Sequence, residues 1–159
     1  TTLFRSVYAY VAAKDKKEME KEAEEFYKAA SPYKPTYYWL DVEEKTMKDM
    51  NAGVEAFRAK LQALGAKNIG LYIGTYFMEE HSISTDKFTA LWIPTYGFDD
   101  GYYNAAPDTN TEYDLHQYTS QGQLNGFSHY LDLNQIAPTQ DQEAIYRKLF
   151  KVQKDGSSS

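Results

Sequence analysis

The chain alternates between two hydrophobic periods. "RSVYAYVAA", starting at Arg5, is rich in β-formers and predicts a first strand. In "KDKKEMEKEAEEFYKAAS", Met19, Ala23, Phe26, Tyr27 and Ala30 recur at helical spacing and predict an amphipathic helix with a solvated, charged outer face. Pro32 and Pro35 end it, because proline cannot continue a helix. "TYYWLDVE" predicts a second strand. A second helix is expected over roughly 46–64, where Met50, Val54, Phe57, Leu61 and Leu64 share a face and Gly65 stands at the C-cap position. "NIGLYIGTYF" and "ALWIPTY" predict a third and a fourth strand, and 97–112 a loop. "YDLHQYT" reads as a fifth strand, "SQGQLNG" as a turn and "SHYLDLNQI" as a sixth strand. "PTQDQEAIYRKLF" reads as a closing helix.

Strand and helix alternating through the first half argue for parallel βαβ units with right-handed crossovers. An α/β barrel and an open doubly wound sheet both fit. Neither G-x-G-x-x-G nor a P-loop occurs, which weakens a nucleotide-binding reading. The expected organisation is one domain over 1–150, followed by a linker-like tail over 151–159.

Composition narrows the function classes. The net charge of -6, with no basic stripe, argues against nucleic acid as a partner. No apolar run is long enough for a membrane span, and the first residues lack the regions of a signal peptide. With no Cys there are neither disulfides nor thiolate metal sites, and the three His show no H-E-x-x-H spacing. Tyrosine outnumbers phenylalanine, 15 to 8. A ring that carries both an apolar face and a hydroxyl suits sugars as well as cores, so this excess points weakly to a carbohydrate or other polar ligand.

The stretch "YYWLDVEE" carries the clearest candidate chemistry. Alternation along a strand turns Tyr37, Trp39, Asp41 and Glu43 one way and Tyr38, Leu40 and Val42 the other. Asp41 and Glu43 then stand at the C-terminal end of a parallel strand, where α/β folds carry their ligand sites. Two neighbouring carboxylates suit acid–base work: repulsion and burial keep one protonated, while the other stays ionised and stabilises positive charge. Glycoside hydrolysis uses that division of labour. On spacing alone, a strand end that caps the next helix and a carboxylate site for Mg or Ca also remain open.

"YYWLDVEE", "GLYIGTYF", "LWIPTYG", "YDLHQYTSQGQLNG" and "YLDLN", in that order, resemble the family 25 glycoside hydrolases, the lysozyme-like N-acetylmuramidases of bacteria and phages, with a flavour of phage or prophage endolysins. The resemblance runs from about Arg5 to Ile136. It implies a β/α barrel that needs no cofactor and no metal and cleaves the β-1,4 bond between N-acetylmuramic acid and N-acetylglucosamine in the bacterial cell wall. It further implies that Glu43 is the general acid, with Asp41 and Asp132 stabilising the transition state or orienting the sugar's 2-acetamido group. Tyr8, Tyr10, Tyr72, Trp92, Tyr96, Gln117 and Tyr118 would line the cleft. The family often has Trp before Q-Y where this chain has His116, for which a structural role is expected.

The chain departs from the family pattern at its start. Family members open on a D-[VI]-S-like strand with a further active-site aspartate, followed by a second β/α unit; this sequence opens at what corresponds to the third strand. Six strands are predicted where an α/β barrel has eight. The expected fold is therefore an incomplete barrel with two bare parallel edge strands, "VYAYV" and "YLDL", open to self-association. The alternative function is a sugar-binding fragment with little or no turnover.

Overall fold

A computed structural model describes residues 5–150; the tail expected over 151–159 lies outside the described residues. The elements are β1 (Ser6–Tyr10), α1 (Lys16–Ala30), β2 (Tyr37–Val42), α2 (Met50–Leu64), β3 (Ile69–Ile73), α3 (Thr75–Glu80), β4 (Ala90–Pro94), β5 (Leu115–Gly122), β6 (Leu131–Ile136) and α4 (Gln142–Phe150). The six strands form one sheet in sequence order, β1 to β6, curled into part of a barrel. β1 to β5 run parallel.

Local sequence sets the two long helices. Asp15 caps α1 by accepting from the Glu18 amide at 2.9 Å, and the Glu18 carboxylate in turn accepts from the Lys14 amide at 2.9 Å. Asp49 caps α2 through the Ala52 amide at 3.0 Å. Both helices lie on the outer face of the sheet. There Met19, Ala23, Phe57 and Leu61 pack with Tyr38, Leu40, Val42, Leu71 and Ile73. Phe26 meets Tyr38 edge-on, and Tyr27 stacks on the same ring. This layer is the main core, and it fixes which side chains of β2 and β3 point inward to the barrel.

The inner face is filled by a second, smaller cluster of Tyr37, Trp39, Ala90, Ile145 and Leu149. Helix α4 supplies the last two and plugs the N-terminal end of the strands. It is tied there by the Tyr37 hydroxyl, which donates to the Lys148 carbonyl at 3.1 Å, and by Lys148 Nζ, 2.7 Å from the buried Asp114 carboxylate. Trp39 needs space on the neighbouring strand. Its partner in register is Gly70, where a Cβ would lie 2.2 Å from the indole.

Three expectations are corrected. The third strand stops at Ile73: Gly74 is the N-cap of α3, and Thr75, Tyr76 and Phe77 are helical. β5 continues through Ser120 and Gln121 to Gly122, so the expected turn begins later. β6 runs antiparallel to β5, with register shifts between Gln117 and Gly122, so the "YLDL" edge is not a parallel one. The short connection from Gly122 to Leu131 explains the reversal, because a parallel return needs a long crossover.

Candidate active site

Parallel register brings the inward side chains into rows. Tyr10 pairs with Asp41, Asp41 with Tyr72 and Tyr72 with Trp92, giving one row across four strands near their C-terminal ends. One level further along, Pro94 pairs with Gln117 and Gln117 with Asn134. These rows line a cleft of about 270 Å³ bounded by Tyr8, Asp41, Glu43, Tyr72, Trp92, Tyr96, Gln117 and Asp132. All three carboxylates expected to act together face this one cleft.

Asp41 is half-buried near the end of β2, and its Oδ1 has no hydrogen-bond partner. Burial, together with the Glu43 carboxyl within hydrogen-bonding reach, pushes Asp41 up to about 7. Burial disfavours the charged form, and a second carboxylate alongside adds repulsion. Asp41 is therefore still partly protonated near neutral pH. Glu43, just beyond the end of β2, is exposed toward the mouth of the cleft.

The opposite wall is a hydrogen-bonded polar cluster. The Tyr72 hydroxyl donates to Gln117 Oε1 at 2.6 Å, the Tyr96 hydroxyl donates to the same oxygen, and the two phenol oxygens lie 3.5 Å apart. Burial raises both phenols above their ordinary value, so both remain protonated donors. With Oε1 accepting twice, the amide nitrogen is the donor end of Gln117. Trp92 stands edge-on to Tyr72, with centroids 4.9 Å apart, and its Nε1 donates to Asn134 Oδ1 at 2.8 Å. Asn134 thus fixes the indole that floors the cleft, a role the sequence motifs do not reveal.

Residues 1–127 match the family described as Glycosyl hydrolases family 25. The chain belongs to that family. Comparison with curated proteins gave no match. Among solved structures, the chain is similar to a family 25 glycosyl hydrolase of Streptococcus pneumoniae described as a virulence factor participating in host cell invasion. The two share 63% identity with a TM-score of 0.90 over 92% of this chain and 64% of that one. It is also similar to the catalytic domain of the endolysin ply40 from bacteriophage P40 of Listeria monocytogenes, at 26% identity and TM-score 0.74 over 91% of this chain and 70% of that one. The CTP1L endolysin matches at 25% identity and TM-score 0.71, over 91% of this chain and 50% of that one. The chain thus spans less than two thirds of the pneumococcal relative.

Within this family 25 fold, the remaining predicted site residues fall in different places. Tyr8 lines the cleft from β1 but is 71% exposed, because β1 is an edge of the sheet. Tyr10 is aligned with Asp41, yet its phenol is pushed up to about 12 by desolvation and by a hydrogen bond with Glu44, which ties it to a residue outside the D-x-E pair. Tyr118 is not brought into the cleft. It neighbours Gln117 and so faces the other side of β5, packed against Tyr103 and His116. His116 shares that outer face and is fully buried. It lies 2.7 Å from the Thr95 carbonyl through Nε2, and burial lowers its pKa. This is the structural role expected of it. Among the described residues no group of three or more His, Asp or Glu is placed to hold a metal ion, and no helix is long and apolar enough to cross a membrane.

Proposed function

We propose that this domain is a peptidoglycan hydrolase of the N-acetylmuramidase type, which cleaves the β-1,4 bond between N-acetylmuramic acid and N-acetylglucosamine in the bacterial cell wall. The observation that carries the reading is the convergence of Asp41, Glu43 and Asp132 on one cleft, with Asp41 pushed up to about 7. Glu43, at the mouth, acts as the general acid that protonates the glycosidic oxygen as the bond breaks. The pair is then left more negative, facing the oxocarbenium-like sugar, and Asp132 on the far wall adds a second negative charge. The donor end of Gln117 and the rings of Tyr8 and Trp92 hold the sugar against this triad. Water then adds to the anomeric carbon, and the proton it gives up returns to the carboxylates. The endolysin relatives support a cell-wall substrate and a site of action at that wall.

The deciding experiment measures release of reducing ends from purified peptidoglycan by the wild type and Glu43→Gln, with the new ends identified. Muramic-acid ends from the wild type, reduced at least about a hundredfold in the variant, support Glu43 as the acid. Equal release from both removes it from that role.

The exposure of Tyr8 favours a second reading, a sugar-binding domain with little turnover. Among the described residues β1 is an edge of the sheet, and there the Tyr8 ring stands largely in water rather than closed over the cleft. Glycan binding by a well-folded wild type that releases no reducing ends would select this reading.

A further inference from the structure

His116 is a costly residue for its place. It is fully buried on the outer face of β5, and its Nδ1 has no hydrogen-bond partner. An apolar side chain would fill that space without leaving a polar atom unpaired. The ring makes one bond, with Nε2 lying 2.7 Å from the Thr95 carbonyl. A carbonyl oxygen only accepts, so Nε2 carries the proton, Nδ1 is bare and the ring is neutral. Tyr103, on the loop after β4, meets the ring edge-on at 5.4 Å, and Tyr118 of β5 lies at 6.3 Å. Among the described residues these phenols are the titratable groups that face it. Its register partners, Ile93 of β4 and Gln135 of β6, carry no charge.

Thr95 is the first residue beyond β4, and β5 holds it twice. Its amide donates to the Gln117 carbonyl at 3.0 Å, and its carbonyl accepts the His116 bond. Tyr96 follows, and the chain then turns away at Gly97, with φ 64°. The direction in which Tyr96 enters the cleft is therefore set at the Thr95 carbonyl. Inside the cleft the Tyr96 hydroxyl joins that of Tyr72 on Gln117 Oε1. Two donors on one oxygen leave the amide nitrogen to face the sugar; with one donor gone, the amide can rotate and present its oxygen instead. We propose that His116 is a positioning residue for the sugar cleft: its neutral ring holds the Thr95 carbonyl and, through Tyr96, fixes which end of the Gln117 amide meets the substrate. The proposal rests on the hydrolase reading above. A proton on Nδ1 would add a charge and an unpaired N–H to a buried site, so the hold lasts while the ring is neutral. Burial keeps the ring's pKa below its ordinary value, and acid beyond that point releases Thr95.

The test follows the ring nitrogens of His116 and the side-chain amide of Gln117 by NMR between about pH 4.5 and 8. It uses Glu43→Gln, so that peptidoglycan glycan stripped of stem peptide can be titrated without being consumed. His116→Gln in that background keeps an N–H donor near the place of Nε2 and does not titrate; His116→Leu removes the donor. The expected result is a neutral ring protonated on Nε2 that titrates below the ordinary 6.5. The Gln117 resonance should move with the same midpoint, and that movement should vanish in His116→Gln. Glycan affinity at about pH 7.5 should hold in His116→Gln and fall about three- to tenfold in His116→Leu. A Gln117 resonance that moves alike in His116→Gln and its parent overturns the role while leaving the cleft intact. So does a neutral ring protonated on Nδ1, or a folded His116→Leu that binds glycan as tightly as its parent. Should His116→Leu fail to fold, the Gln117 resonance in the other two proteins still decides. Failure of every protein to bind glycan overturns the hydrolase reading, and this role with it.

Discussion

The Trp39 indole occupies the space that a side chain on Gly70 would need; a Cβ there would sit 2.2 Å from the ring. The two residues are register partners on β2 and β3, and the contact lets one indole fill the barrel side of the sheet. Trp39 in turn meets Trp92 edge-on at 5.5 Å, beneath the cleft. Gly70→Ala should therefore destabilise the fold by about 1–3 kcal/mol, the usual cost of overpacking. Chemical denaturation checks this, with Trp39→Phe in the Gly70→Ala background expected to recover part of the loss. Unchanged stability in Gly70→Ala would mean that the indole has another place to go.

Asp41 gives the stability a pH signature. Its pKa rises from 3.8 to about 7 on folding, so between those values the native state binds more protons than the unfolded chain. Stability then falls as pH rises through this window and levels off above about 7. The full shift would correspond to roughly 4 kcal/mol, which solvent screening at a half-buried site reduces to about 1–2 kcal/mol. Asp41→Asn removes the titration. Denaturation at pH 4.5 and 7.5 should show the wild type losing about 1–2 kcal/mol more than the variant across this interval. Equal losses would mean that Asp41 does not titrate in this window.

Much of this arrangement is legible in the sequence because β2 obeys a period of two. Tyr38, Leu40 and Val42 face the helices, and Trp39 and Asp41 face the barrel. The same alternation excludes Tyr118 from the cleft once Gln117 is in it, since adjacent strand residues cannot share a face. Strand direction is different, because the hydrophobic pattern of "YLDLNQI" is the same whether it runs parallel or antiparallel. Only the short link after Gly122 carries that information. Tyr76 and Phe77 look like strand residues by propensity, but Gly74 begins a helix there, and the tertiary setting overrides the local preference. Asn134 and Glu44 gain their roles from neighbours on other strands, which no local motif records.

The β1 edge makes the last prediction. Ser6–Tyr10 pairs with β2 on one side, and on this edge Tyr8 is 71% and Tyr10 44% exposed. Beneath Tyr8 the sheet's inner face opens on an apolar hollow of about 400 Å³ that includes Ser6, Trp39, Trp92, Ile136 and Leu149. Among the described residues no strand pairs with the other side of β1, and such an edge beside exposed rings and an apolar hollow is the combination that recruits a second chain. Light scattering on concentrated protein is expected to give a mass above 18.3 kDa, decreasing on dilution. A charged residue pointing inward from an edge strand opposes pairing, so Tyr8→Lys should shift the equilibrium toward the monomer. A wild type that stays monomeric at the highest concentration would show that β1 does not recruit a second copy of this chain.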